Sequence, residues 1–138
     1  MAFPARVFCD TSFFYASLDS GDANHEHAAT LTTAAATRGS VLSTTWDIVS
    51  ETATLLRYRA GFSAAWTFLS EVKPLLHIVP YGDGVRTEAE DVFHRYGMDH
   101  RLSFCDAISF VVVTTLLDNM PCLAFDEDFR RLGLTVIT

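Results

Sequence analysis

The stretch RVFCDTSFFYASL, residues 6–18, places a short apolar strand, an aspartate and an apolar helix in direct succession. Its first four residues predict a buried strand, and Asp10 follows where that strand ends. The same order returns in CLAFDEDF, residues 122–129, where an apolar strand leads into Asp126. In open parallel sheets, the carboxyl ends of the strands form the edge at which sites develop. The two stretches therefore predict two aspartates at one such edge.

The composition is that of a globular α/β protein with one core. The chain has 138 residues, of which 49% are hydrophobic, and we expect a single domain over residues 1–138. Cys9, Cys105 and Cys122 stand in apolar runs without a CxxC pair, which predicts buried thiols in a reducing compartment. No apolar run approaches the roughly 20 residues of a membrane span, and no basic and apolar leader opens the sequence. We therefore expect a cytoplasmic protein without a membrane segment.

The charge of the chain is acidic, with a formal net charge of −7. A protein that coats duplex nucleic acid is usually basic, so the overall charge argues against that class. A nucleic-acid partner would need a local arginine patch, or metal ions that reverse the sign of an acidic site.

Strand-like and helix-like segments alternate along the chain, which predicts an α/β fold with a parallel sheet. The predicted strands are Arg6–Cys9, Ser40–Leu42, the segment LLHIVPYGDG with its closing turn, Cys122–Phe125 and Leu134–Ile137. The predicted helices are residues 11–19, Asn24–Arg38, 44–60, Phe62–Val72, Val85–Tyr96 and Ser103–Leu117. Gly39 and Gly61 are expected to end two of these helices. Thr44 and Asp47 have the spacing of a capping box.

Two further acids fall on the apolar faces of predicted helices. Glu51 shares helical spacing with Ile48 and Leu55, and Asp106 begins an apolar series that continues at Phe110. Buried carboxylates are costly without partners, and too few basic residues stand at matching places to pair each one. A shared divalent cation would satisfy these two acids together with the two at the strand ends. Ligands that are all oxygen favour Mg²⁺ or Mn²⁺ over zinc.

Each acid also has a purely structural interpretation. Asp106 can be the capping-box partner of Ser103, and Asp10 and Asp126 can be turn or N-cap residues. Glu51 can be a surface residue slightly out of phase with the apolar face. The sequence leaves these alternatives open for each residue, whereas the arrival of all four acids from separate elements favours a shared site.

Four segments, in this order, resemble the PIN-domain family and, within it, the toxin-type ribonucleases of the VapC kind. They are FCDTSFF, SETATLLRYRAG, LSFCDAISF and AFDEDF, and the resemblance covers essentially the whole chain. It implies a three-layer α/β/α sandwich around a parallel sheet of about five strands. It also implies an endonuclease that depends on Mg²⁺ or Mn²⁺ and hydrolyses RNA. Toxin-type relatives further imply a homodimer that a small antitoxin protein holds inactive.

The family's four acids fall on Asp10, Glu51, Asp106 and Asp126. The resemblance implies that these acids bind the metal and carry catalysis, with Glu51 binding directly or through water. A hydroxyl beside the first acid matches Thr11 or Ser12 and would hold a ligand or a phosphate oxygen. Ala124 stands where many relatives have Thr or Ser, so one hydroxyl is missing. Asp128 is an additional acid that we expect to face solvent, with contact to the site through water as the alternative.

Basic residues near these motifs could contact RNA, although a surface position is the default for each of them. They are Arg57, Arg59, His100, Arg101, Arg130 and Arg131. Two competing functions fit the sequence poorly. A receiver module needs a lysine after a late strand, and the sole lysine, Lys73, stands elsewhere; a DxD phosphotransferase needs an acid where Ser12 stands. A PIN-like module that binds RNA or protein with weak catalysis stays open, and the four retained acids count against it.

Overall fold

The first strand occupies the centre of the sheet. The computed structural model describes residues 2–137, so the two end residues of the predicted domain lie outside the description. The strands are β1 (Arg6–Cys9), β2 (Val41–Thr44), β3 (His77–Ile78), β4 (Cys122–Leu123) and β5 (Val136–Ile137). They pair in parallel in the order β3-β2-β1-β4-β5. The predicted five-stranded parallel sheet is therefore confirmed.

Helices connect the strands and cover the sheet in a three-layer α/β/α sandwich. They are α1 (Thr11–Leu18), α2 (His25–Arg38), α3 (Trp46–Arg59), α4 (Phe62–Thr67), α5 (Asp83–Tyr96), α6 (Phe104–Val111) and α7 (Glu127–Arg131). Helix α4 continues through a π-helical turn (Phe68–Val72) and a 3-10 turn (Lys73–Leu75), and α6 continues through a π-helical turn (Val112–Leu116). Within residues 2–137, no helix combines the length and the apolar character that crossing a bilayer requires.

The predicted ends of the helices are largely correct, with one exception at the start of α3. Gly39 follows α2 in the left-handed region, at φ 72°, as a C-terminal glycine should. The capping box of Thr44 and Asp47 is wrong. Thr44 belongs to β2, pairs with β3, and donates its hydroxyl to the Cys9 carbonyl oxygen at 2.9 Å. Thr45 is the N-cap instead, and its Oγ1 accepts a hydrogen bond from the Ile48 amide at 3.3 Å.

The core lies between the sheet and the helices and includes two of the three thiols. Cys9 and Cys122 are fully buried on β1 and β4, while Cys105 on α6 is partly buried, and all three are free. Phe14 of α1 contacts Phe68 beyond α4, with ring centroids 5.3 Å apart. This aromatic pair joins the first helix to the segment that follows α4.

The Phe14–Phe68 contact should contribute strongly to stability. Phe68 is completely buried, so Phe68→Ala should lower the free energy of unfolding by about 3–5 kcal/mol, because it removes apolar contacts and leaves a cavity. Phe62→Ala, whose residue is 62% exposed, is the matched control and should change stability by about 0.5 kcal/mol or less. Urea denaturation of both variants measures this. Equal losses in the two variants would contradict the assigned core.

Candidate active site

The carboxyl edge of the sheet carries a cleft of about 440 Å³, here named the acid cleft. Its lining includes the four predicted acids and both predicted hydroxyl residues: Asp10, Thr11, Ser12, Glu51, Asp106 and Asp126. Asp10 follows β1, and Asp126 follows the segment after β4, so the two aspartates noted in the sequence do share one edge. Glu51 comes from α3 and Asp106 from the first turn of α6.

Asp10 is fixed by the start of α1. Its Oδ2 accepts hydrogen bonds from the Ser12 amide at 3.2 Å and from the Ser12 hydroxyl at 2.7 Å. The same hydroxyl oxygen accepts a hydrogen bond from the Phe125 amide at 2.9 Å. Ser12 thus connects the first acid to the segment that precedes Asp126.

Asp106 is fixed by a capping box at the start of α6. The Ser103 hydroxyl oxygen accepts from the Asp106 amide at 3.0 Å, and Asp106 Oδ2 accepts from the Ser103 amide at 3.2 Å. Asp106 is nevertheless only 7% exposed and lines the acid cleft. The capping interpretation and the cleft interpretation therefore both hold for this residue, since the cap engages one carboxylate oxygen.

Asp126 is the N-cap of α7, and its Oδ1 accepts a hydrogen bond from the Asp128 amide at 2.9 Å. The expectation that Asp128 faces solvent is wrong, because Asp128 is only 5% exposed. One carboxylate oxygen from each of Asp106, Asp126 and Asp128 lies within 4.8 Å of the others. Helix α7 has five residues, too few for a hydrophobic period to reveal that this acid points inward.

The carboxylates of this edge are under electrostatic strain. Burial raises the pKa of Asp10 from 3.8 to about 6, although hydrogen bonds from Ser12 oppose the shift. Burial, and then the charge of Asp10, raises the pKa of Asp106 from 3.8 to about 7. Burial and the neighbouring Asp126 also raise the pKa of Asp128. A cation among these groups would offset their mutual repulsion.

The donor set fits a hard divalent cation. The three atoms that lie together, one each from Asp106, Asp126 and Asp128, are carboxylate oxygens, which suit Mg²⁺, Mn²⁺ or Ca²⁺. Thr11 Oγ1 is buried and has no hydrogen-bond partner within residues 2–137, and Thr11 lines the same cleft. A buried hydroxyl without a partner is costly, so a ligand or water in the cleft would satisfy it.

Two of the basic residues singled out in the sequence line the acid cleft, namely Arg59 and Arg101. Arg57 instead lies over the ring of Phe62, with Cζ 5.6 Å from the ring centroid. Arg131 forms an ion pair with Asp128, with Nη1 3.5 Å from Oδ1. Tyr15 also lines the cleft and is absent from the sequence-based site. The available signal is its position four residues after Thr11, which places both on one face of α1.

The raised pKa values predict how the metal-free protein responds to pH. Between about pH 4 and pH 7 the folded state holds more protons on Asp10 and Asp106 than the unfolded state does. The free energy of unfolding should therefore fall as pH rises through this range. Asp106→Asn can keep the cap and removes the charge, so in EDTA near pH 7.5 it should be more stable than the parent by about 1 kcal/mol.

Thermal melts in EDTA at several pH values test this expectation. The exposed Asp83, replaced in Asp83→Asn, is the matched control and should follow the parent's pH profile. If Asp106→Asn melted below the parent at every pH, the contact with the Ser103 cap would outweigh the cost of the buried charge, contrary to this expectation.

Comparison with known proteins agrees with this geometry. The family model described as PIN domain matches residues 7–134. The chain is 32% identical over 136 residues to proteins named 23S rRNA-specific endonuclease VapC20 from two strains of Mycobacterium tuberculosis, covering 95% of this chain and 97% of each relative. The crystal structure of Mycobacterium tuberculosis VapC20, described as a sarcin-ricin loop cleaving toxin, matches with a TM-score of 0.81 and 29% identity over 94% of this chain and 96% of that one. The chain belongs to the PIN-domain family.

Proposed function

We propose that this protein is a divalent-metal-dependent endoribonuclease and the toxin of a toxin–antitoxin pair. The observation that carries the proposal is the meeting of acids from four separate elements in one cleft. The similarity to VapC20, which extends over nearly the whole of both chains, supports it.

The substrate class we propose is a structured RNA hairpin of the large ribosomal subunit. The relatives carry the name 23S rRNA-specific endonuclease, and the similar crystal structure is described as cleaving the sarcin-ricin loop. Sequence-specific recognition of RNA usually targets such loops, where bases are accessible. A shallow acidic cleft with aromatic and basic residues at its margins, such as Tyr15 and Arg59, is compatible with a looped strand.

The proposed roles follow from the contacts of each side chain. Asp10, Asp106 and Asp126 hold one or two Mg²⁺ or Mn²⁺ ions, and Glu51 binds directly or through water. Asp128 joins this set, because one of its carboxylate oxygens lies within 4.8 Å of a carboxylate oxygen of both Asp106 and Asp126. When bound, such a cation polarises the phosphate, lowers the pKa of the attacking water and stabilises the leaving 3′ oxygen.

The hydroxyl residues support these groups. The Ser12 hydroxyl holds Asp10 in place by donating a hydrogen bond to it. The same hydroxyl accepts a hydrogen bond from the Phe125 amide and so connects Asp10 to the residue before Asp126. Thr11, whose hydroxyl has no partner in the described part of the chain, donates to a phosphate oxygen or a bound water.

The proposed partners are a second copy of the chain, as a homodimer, and a small antitoxin protein. The acid cleft and the net charge of −7 favour an inhibitor that inserts an arginine or lysine among the carboxylates and displaces the cation. Localisation in the cytoplasm is part of the same proposal, because ribosomal RNA is found there.

Loss of a carboxylate ligand should abolish cleavage without unfolding the protein. In Mg²⁺ or Mn²⁺, the protein should cut a synthetic sarcin-ricin loop hairpin, and EDTA should stop it. Asp10→Asn should lower the rate by at least about 100-fold, since a ligand for the metal that activates water is lost. Asp83→Asn removes the same charge from an exposed site and should keep full activity. Metal-independent cleavage, or full activity in Asp10→Asn, would refute the mechanism.

The antitoxin proposal predicts a specific biochemical outcome. Purification of the tagged protein from its native cells should yield a small second chain that suppresses cleavage. Replacing one arginine or lysine of that chain by alanine should restore cleavage while the complex persists. A protein that purifies alone, and whose expression leaves growth unaffected, would contradict the toxin–antitoxin assignment.

A further inference from the structure

The acid cleft poses an electrostatic problem for an RNA strand. Its lining residues include five carboxylates and only two cationic side chains. The carboxylates belong to Asp10, Asp22, Glu51, Asp106 and Asp126, and the cations to Arg59 and Arg101. Even if a bound metal ion offsets the negative charge of the central acids, the phosphates on either side of the scissile bond need cationic contacts of their own.

Arg59 stands on the same face of α3 as the catalytic candidate Glu51. Glu51, Leu55 and Arg59 follow one another every four residues, and all three line the cleft. Eight residues along a helix correspond to a rise of about 12 Å, which separates the backbone of Arg59 from that of Glu51 along α3. Arg59 is therefore suited to a phosphate next to the scissile one rather than to the scissile phosphate itself.

Arg59 is also held in place by a neighbouring helix. Its Cζ lies 5.7 Å from the centroid of the Tyr15 ring on α1, and the Tyr15 hydroxyl donates to Asp19 Oδ2 at 2.6 Å. A guanidinium at this distance from an aromatic ring is within the range of a cation–π contact, and its N–H groups can still donate to a phosphate. An arginine held in this way loses less side-chain entropy when it binds a phosphate.

Arg101 comes from a different part of the chain and also lines the cleft. It precedes by two residues Ser103, the N-cap of α6, which is itself bonded to Asp106. Arg101 is exposed and lines the cleft, so its charge is accessible from solvent. The cleft thus has one arginine near the end of α3 and another just before α6.

We propose that Arg59, held on the Tyr15 ring, and Arg101 bind RNA phosphates on either side of the scissile bond, so that the strand crosses the acids from the end of α3 to the start of α6. Tyr15 and its bond to Asp19 act as positioning residues for Arg59. This inference rests on the proposed function, because it assumes an RNA substrate.

Binding measurements test the inference separately from catalysis. The probe is a fluorescein-labelled sarcin-ricin loop hairpin, titrated by anisotropy in Ca²⁺ in place of Mg²⁺ at several salt concentrations. Arg59→Ala and Arg101→Ala should each weaken binding by about tenfold and reduce the slope of log K against log salt by about 1. Arg57→Ala is the matched control on the same helix, since Arg57 contacts Phe62, and it should leave both quantities unchanged.

Two further variants distinguish a phosphate contact from a merely structural one. Arg59→Lys keeps the charge and should retain the salt slope, whereas Tyr15→Leu should raise the Kd while keeping the slope, because Arg59 remains charged but is less well placed. In cleavage assays, Arg59→Ala should raise KM more than it lowers kcat, since the contact exists before and during the reaction. Melting curves verify that each variant is folded.

The outcomes separate the two proposals. If the parent cleaves the hairpin and both Arg59→Ala and Arg101→Ala bind it with unchanged Kd and salt slope, the inference is overturned and the proposed function stands. If the parent does not cleave but the two variants lose affinity as stated, the binding path stands and the proposed function fails. If Arg59→Ala does not fold, Arg101→Ala and Arg59→Lys still decide. A parent that binds no RNA overturns both.

Discussion

Helix capping at the carboxyl edge of the parallel sheet is the constraint on which this structure depends. Parallel strands bring their carboxyl ends to one edge, so the helices that follow them begin there with unpaired amide groups. Aspartates meet this requirement at the starts of α1 and α7, and a capping box does the same for α6, which follows α5 and whose Asp106 lines the acid cleft. The positive ends of the helix dipoles further favour carboxylates at these positions. Three acids of the cleft, Asp10, Asp106 and Asp126, are therefore also groups that cap helices.

The capping hydrogen bonds orient the carboxylates and do not neutralise their charge. Within residues 2–137, the caps engage Oδ2 of Asp10, Oδ2 of Asp106 and Oδ1 of Asp126. One oxygen of each group remains for a cation, and its direction is set by the bond that the other oxygen makes. Ion pairs with lysine or arginine would have fixed the acids as well, but they would also have neutralised them. The acids remain charged groups in a buried place, and burial, together with repulsion from neighbouring acids, raises the pKa values of Asp10 and Asp106.

The sequence predicted the sheet and the meeting of the acids because strand ends and helix starts have strong local signals. Asp10 and Asp126 each follow an apolar strand, and parallel pairing then dictates that they approach each other. A helix cap and a metal site are compatible roles for one aspartate, because it has two carboxylate oxygens. Asp128 could not be placed, because in a five-residue helix burial depends on tertiary packing beside Phe129 and not on a visible period. Thr44 was misassigned because two adjacent threonines offered the same capping chemistry, and only pairing with β3 distinguishes them.

The three free thiols bear on the charge of the acidic edge. Cys9 and Cys122 lie on adjacent central strands behind the acids, and Cys105 directly precedes Asp106. Burial raises the pKa of all three thiols, and nearby carboxylates, including Asp10, raise it further. Because the thiolate is the form that oxidants and electrophiles attack, a raised pKa lowers the reactivity of a thiol at neutral pH. They also remain uncharged and add nothing to the negative charge of the edge.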